Sequence, residues 1–180
     1  MNRDQVVSEI DINHLELLRN NVRKLIKNCS KQFDKVNNHI LDIAPQDHGG
    51  AKEFFNLAKI TTLDLDPESG ANLIADLCED NSESINSEQF DLIICTEVLE
   101  HTLNPFDAAK EIYRLLKTGG TAAVSTPFNF RIHGPLPDCW RFTEYGLKEL
   151  FKNFNNVEIV PLQTRERDLM PIHYTLIAKK

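Results

Sequence analysis

Leu18, Val22, Leu25, Ile26 and Cys29 recur at three- and four-residue spacing, which lines up one apolar face of an α-helix. The stripe predicts a helix over residues 13–31. Asn13 with Glu16 three positions on has the form of the capping box that would open it. Residues 4–11 fit either a mobile arm or a separate short helix. After this helix the pattern changes to short apolar runs separated by turn clusters. Residues 40–44 read as a buried strand running into the turn PQDHGG, with a short helical stretch over 51–58. KITTLDL, residues 59–65, reads as a second strand closed by the turn DPESG. A third strand is expected over 72–77 and a fourth over 91–95, with the acidic run 79–88 between them as a solvated loop.

Residues 104–117 carry the clearest helix. Asn104 suits the cap, Pro105 the first helical position and Gly119 the left-handed position past the end, with Gly120 completing the turn. Phe106, Ala109, Ile112, Tyr113 and Leu116 make its predicted buried face. A strand over 122–126 and a Pro- and aromatic-rich loop, 127–142, follow. Thr143 then caps a helix in which Leu147, Leu150, Phe151 and Phe154 repeat correctly. The last strands, 157–160 and 174–178, have no helical pattern between them and so predict an antiparallel pair. Strands alternating with helices make a mostly parallel sheet with an antiparallel C-terminal strand and helices on both faces. The chain reads as one α/β domain over 1–180, a helical segment 1–31 followed by a core over 39–180.

Composition narrows the function. The 180 residues are 41% hydrophobic and 26% charged, which excludes disordered and membrane-embedded classes. Net charge is -7, the wrong sign for a surface that must neutralise nucleic-acid phosphates, so no nucleic-acid partner is expected. The four cysteines form no Cys-x-x-Cys pair and have no histidine at finger spacing, so no metal is expected from them. No apolar run is long enough to span a membrane, and the first residues lack a signal-peptide core, so the expected location is cytoplasmic.

In an open α/β sheet ligands bind beyond the carboxyl ends of the strands. The residues there are Asp42, Asp64, Asp66 and Asp76 in the first half of the chain, then Thr96, Glu97, Glu100 and His101. Asp42 and Asp64 stand 22 positions apart, the interval at which a carboxylate after the second strand can meet a ribose lying over the first loop. One ionised carboxylate can accept from two hydroxyls. Taken in order, LDIAPQDHGG, TTLDLDP, IADL, FDLIICTEVLEH and NPFDAAKEIYRLLKTGG resemble a class I S-adenosylmethionine-dependent methyltransferase, over about residues 40–126. The resemblance implies a Rossmann-like sheet and S-adenosyl-L-methionine as cofactor. It places Asp42 beside the methionine moiety, and the backbone of Ala44, Gln46 and Gly49 under the cofactor's amino-acid part. Asp64 would hold the ribose hydroxyls, Asp76 the adenine amino group and the Leu77 backbone an adenine ring nitrogen. Thr96 and Glu97 would lie beneath the sulfonium side, with His101 near the substrate opening. The residue could instead cap or pack on the helix that follows.

Two departures qualify the resemblance. The family's Gly-x-Gly-x-Gly loop reads Ala44, Gln46 and His48 here, with Gly49 and Gly50 displaced. Glycine permits close backbone approach and positive φ, so this loop implies either weaker cofactor binding or glycines shifted by a residue. His48 fits a turn better than a base. The connection DPESGAN is also shorter than a parallel crossover normally needs.

The loop 127–142 carries the substrate signal. Its run His133-Gly-x-x-x-Asp138-x-Trp-Arg-Phe-Thr is similar to a subgroup of small bacterial methyltransferases associated with glycan or surface-polymer synthesis. The expected reaction is O-methylation of a small-molecule or glycan acceptor, with His133 as general base and Asp138 orienting it or touching sugar hydroxyls. Trp140 and Phe142 are expected to pack on the next helix and Arg141 to pair with a carboxylate. The alternatives are a catalytically degenerate methyltransferase-like partner subunit and a nicotinamide oxidoreductase. The oxidoreductase would need a Gly-x-Gly-x-x-Gly turn that this chain lacks. A nucleic-acid methylase would carry an Asn/Asp-Pro-Pro-aromatic motif after strand four, where this chain reads TEVL.

Overall fold

The computed structural model describes residues 7–45 and 50–180. Helix α1 (Glu9–Phe33) starts a turn earlier than the pattern predicts. Ser8 and Asp11 form the capping box in place of Asn13 and Glu16, each side chain taking the other's backbone amide. The predicted stripe Leu18, Val22, Leu25, Ile26 and Cys29 is the buried face. Asp34 closes the helix, and its carboxylate accepts the amides of Asn56, Leu57 and Ala58. That capture explains why the helical stretch predicted over 51–58 is a single 3₁₀ turn, Gly50–Glu53. The amides that would continue a helix are already spent.

Among the described residues seven strands follow: β1 (His39–Ile43), β2 (Lys59–Asp64), β3 (Leu73–Ile74), β4 (Phe90–Thr96), β5 (Leu116–Pro127), β6 (Asn156–Leu162) and β7 (His173–Lys179). They make one sheet in the order β3-β2-β1-β4-β5-β7-β6. The first five are parallel, and β7 pairs antiparallel with both β5 and β6. The sheet is therefore the predicted mostly parallel one, with its strand order reversing between β1 and β4.

β3 is shorter than expected. It pairs with β2 only at Leu73 and Ile74, after which the Asp76 carboxylate takes the Cys78 amide and turns the chain. The crossover before it needs no helix because Asn72 substitutes for one: its side chain accepts the Thr62 amide while Thr62 Oγ1 accepts the Asn72 amide.

Helix α2 (Pro105–Leu115) has the predicted Asn104 cap but ends before Lys117, and its exposed side carries Phe106, which is 51% accessible. Ala108, Ala109, Ile112 and Leu115 are its buried apolar face. Gly119 does adopt φ +80, but within β5 and not past a helix end. Leu116 faces Phe90 and Thr121 faces Leu92, so β5 carries surplus residues there in a bulge. Helix α3 (Glu144–Leu150) starts at the predicted Thr143 cap.

Alternation along the strands divides the core. Ile40, Leu92, Ile94 and Ala123 face α1, whereas Leu41, Ile93, Cys95 and Val124 face α2 and α3. Helices thus cover both faces, and the strand order reverses between β1 and β4, the place where open α/β sheets bind ligands.

Candidate active site

On the β1–β2 side the carboxyl of Asp42 is buried, and its Oδ2 accepts the Ala51 amide at 2.6 Å. Burial pushes it up to about 6, against the pull of that amide and of Lys52. Ala44 has φ +46 and Gly50 φ +52. A Cβ on Gly50 would come within 2.3 Å of Asp42 Oδ2, so only glycine fits this approach. Gln46, His48 and Gly49 lie outside the described residues. Asp64 is half-buried at the end of β2, and its Oδ1 accepts the Asp66 amide at 2.9 Å. Asp76 is likewise half-buried, with Oδ1 on the Cys78 amide at 2.8 Å, and Leu77 beside it is buried.

The β4 side is denser. Thr96 is buried at the strand end, and Glu97 after it has φ +56 with its amide on the Ser125 carbonyl. Glu97 Oε1 accepts from Ser125 Oγ at 2.8 Å and from His173 Nε2 at 2.7 Å. The amide of Asn21 on α1 engages the other nitrogen, His173 Nδ1, at 2.9 Å. Burial works against the charge on Glu97, but His173 and Ser125 outweigh it and hold its carboxyl below the usual range. Sequence reading missed Asn21, Ser125 and His173. They stand far from Glu97 in the chain and carry no shared motif.

Glu100 and His101 occupy a 3₁₀ turn, Leu99–His101. The Glu100 carbonyl accepts the amides of Cys139 (2.7 Å) and Trp140 (3.2 Å), which ties the loop after β5 to the turn after β4. Its side chain is fully buried, and burial together with the Glu97 charge raises its carboxyl well above the usual range. His101 does not merely pack on α2: its ring meets that of His133 edge-on at 4.9 Å, and its Nδ1 lies 3.0 Å from the Pro137 carbonyl.

His133 and Asp138 come together as the sequence suggested. Asp138 Oδ2 accepts the His133 amide at 2.9 Å and lies 3.1 Å from His133 Nδ1. Arg141 grips the same carboxylate at 2.5 and 2.8 Å, the pairing expected of it, and holds Asp138 well below the usual carboxylate range. The Asp138 side chain has no exposed surface, and its carboxylate is engaged by His133 and Arg141. Burial lowers His133 from its ordinary value, with Asp138 opposing. Trp140 donates to the Thr102 carbonyl and stacks on Phe142.

Between α1 and the loop after β5 lies a cleft of about 630 Å³, lined by Leu15, Arg19, Phe130, Arg131, His133 and Glu97 among others. Arg131 reaches Asp11 at 3.6 Å and His14 Nδ1 the Asn129 carbonyl at 3.1 Å, so α1 is a wall of this cleft. The volume suits a small-molecule ligand.

Residues 14–167 match a family model described as a methyltransferase domain. The chain belongs to the methyltransferase-domain family. It is an S-adenosylmethionine-dependent methyltransferase of class I, and S-adenosylmethionine is its cofactor. No curated protein matches this methyltransferase. Solved structures share its fold at low identity. The CurJ carbon methyltransferase has a TM-score of 0.66 at 15% identity, covering 92% of this chain, which spans 55% of the CurJ chain. An S-adenosylmethionine-dependent methyltransferase from Archaeoglobus fulgidus gives 0.61 at 16% identity, covering 92% and 94% of the two chains. The cyclase SpnF gives 0.60 at 14% identity, covering 88% and 80%. A cyclase among these neighbours shows that the sheet alone does not fix the reaction. Among the described residues, no helix is long and apolar enough to cross a membrane.

Proposed function

We propose that this methyltransferase, acting as one domain over 1–180, methylates a hydroxyl of a small-molecule or glycan acceptor seated in the cleft between α1 and the loop after β5. The observation that carries the reading is His133, lining that cleft with its Nδ1 side held by Asp138. An alcohol needs a base near neutral pH, and an oriented imidazole supplies one. Arg141 keeps Asp138 charged, and Asp138 turns Nε2 of His133 away from itself and toward Glu100 and the cleft. The run from His133 to Thr143 supports a glycan among the possible acceptors.

The residues present fit the cofactor. Among the described residues Asp64 Oδ2 carries no hydrogen bond, so this half-buried residue leaves one carboxylate oxygen at the strand end for ribose hydroxyls. Gly50 leaves the backbone beside Asp42 open to close approach. In this reading Asp42 shapes the first loop, Gln46 and Gly49 offer backbone amides, Ala44 passes under the cofactor with its own amide held by the Leu63 carbonyl at 2.7 Å, and Asp76 and Leu77 meet the adenine. Thr96 and Glu97 lie beneath the reacting end, and His101 borders the opening. S-adenosylmethionine, when bound, supplies an activated methyl group and departs as S-adenosylhomocysteine. The protein's part is to position the acceptor, exclude water and take its proton.

Ala44, at φ +46 where the family carries glycine, favours one other reading: a methyltransferase-like partner subunit with a weakened cofactor loop. Thermal unfolding with S-adenosylhomocysteine, S-adenosylmethionine and NAD in parallel, then labelled methyl transfer to nucleotide sugars and small alcohols, separates the two. A ligand at 100 times its dissociation constant adds about 2.7 kcal/mol of stability. A shift with the adenosyl sulfur compounds and transfer to a hydroxyl supports the enzyme. A shift without transfer to any acceptor, or no shift with any of the three ligands, supports the partner subunit.

A further inference from the structure

We propose that Glu100, His101 and His133 form a binding site for one divalent transition-metal ion. One ligand atom of each lies within 4.8 Å of the others, and Glu100 Oε1 is 3.8 Å from Nε2 of both histidines. Bonds of 2.0–2.2 Å around a tetrahedral ion such as zinc place neighbouring ligand atoms about 3.4 Å apart. Small rotations of the two rings therefore close the set around an ion.

Three observations separate this cluster from an accidental one. Glu100 has no exposed surface, and among the described residues neither of its carboxylate oxygens has a hydrogen-bond partner. A buried carboxylate without a partner is costly, and metal coordination is one of the few arrangements that offsets the cost. His101 Nε2 is also buried and without a partner among the described residues. The far side of each ring is already engaged, His101 Nδ1 by the Pro137 carbonyl and His133 Nδ1 by Asp138. A carbonyl or carboxylate behind the ring is the arrangement that orients metal-ligating imidazoles and leaves Nε2 bare. The Cys139 and Trp140 amides on the Glu100 carbonyl lock together the two segments that carry the ligands.

Two imidazoles and one carboxylate suit zinc, cobalt, iron(II) or manganese. Calcium and magnesium call for oxygen ligands throughout. Three protein ligands would leave a coordination position open, and of the three His133 also lines the cleft. One consequence rests on the proposed transfer to a hydroxyl. An ion held there would commit the lone pair of His133 Nε2 and would itself supply acidification of a bound hydroxyl. The binding of the ion itself rests only on the cluster.

The test uses the full chain, stripped with a chelator and titrated with Co²⁺ by visible absorption and with Zn²⁺ by calorimetry. The expected result is one equivalent bound, with Glu100→Gln and His101→Ala each weakening it about 100-fold or more. Asp138→Asn, behind His133, weakens it about 10-fold or more, while His39→Ala, whose ring contacts Thr61, changes nothing. Glu100→Gln removes a buried unpaired acid and is expected to fold. Absence of binding in the parent chain, or equal binding in Glu100→Gln and His101→Ala, overturns the proposal. The S-adenosylhomocysteine melting shift, read on the same samples, reports separately on the transferase reading. Metal binding without that shift leaves the site standing and counts against the proposed methylation of a hydroxyl. The shift without metal does the reverse.

Discussion

Along the open edge of the sheet, the acids near β2 and β3 behave unlike those near β4. Asp64, Asp66 and Asp76 sit half or fully exposed, and each spends one oxygen on an amide two residues further along. Their turns are local and need no distant partner. Glu97, Glu100 and Asp138 are buried, and their surroundings come from α1, β5, β7 and the loop after β5. The first arrangement leaves carboxylate oxygens available to a ligand without asking the fold to depend on them. The second makes stability and chemistry share side chains, because a charge taken out of water is tolerated only while its partners stay.

The largest effect that would sharpen this contrast is His173→Ala. It strips buried Glu97 of its closest partner, and breaking a buried pair from one side costs about 3–5 kcal/mol. Urea unfolding reads it, and adding Glu97→Gln to the same chain should restore part of the loss. A loss within about 1 kcal/mol would break the comparison on the β4 side.

Asp42 is the exception on the β1 side, being buried. Its carboxyl moves from an ordinary 3.8 to about 6 in the folded protein. Between those values the native state keeps a proton that the unfolded chain has lost, so stability falls as pH rises through the window. The full penalty, up to about 3 kcal/mol, applies above about pH 6. Asp42→Asn should flatten the stability profile between pH 4 and 6 and leave the variant more stable than the parent at pH 7–8. Parallel profiles for the two proteins would remove burial as the dominant influence on this group.

His133→Ala should lower turnover about a hundredfold, equivalent to about 2.7 kcal/mol of barrier. S-adenosylhomocysteine affinity should stay unchanged. Steady-state kinetics beside a binding titration check it. Unchanged turnover would take His133 out of the reaction, with or without an ion beside it.

The same division decides what the sequence could disclose. Strands β1, β2 and β4, the stripe of α1 and the caps at Asn104 and Thr143 follow from periodicity and local hydrogen-bonding chemistry, so they were legible. The 3₁₀ turn at Gly50–Glu53 was not, because it depends on Asp34 reaching amides more than twenty positions away. Phe106 fits a helical stripe by spacing yet faces solvent, because the buried face of α2 runs through Ala108, Ala109, Ile112 and Leu115. In the site, His133, Asp138 and Arg141 lie within one loop and were readable as a group. His173 and Asn21 reach Glu97 only through β7 and α1. Glu100 stood in plain view after strand four, but only the fold shows that its carboxylate is buried without a partner.

The smallest effect belongs to Asp64→Asn, and it is the most discriminating. The side chain is half-exposed, and its one hydrogen bond within the described residues, from the Asp66 amide, can be kept by the asparagine oxygen. Stability should therefore stay within about 0.5 kcal/mol of the parent. The charge that would hold two ribose hydroxyls is lost, and a charge-assisted hydrogen bond is worth about 2 kcal/mol. S-adenosylhomocysteine should then bind about 30-fold more weakly, measured by calorimetry at fixed ionic strength. A variant that melts with the parent but binds poorly would confirm that the β2 end serves the ligand and not the fold. Parent-like binding would move the ribose contact away from Asp64, and a large drop in melting temperature would erase the difference between the two ends of the site.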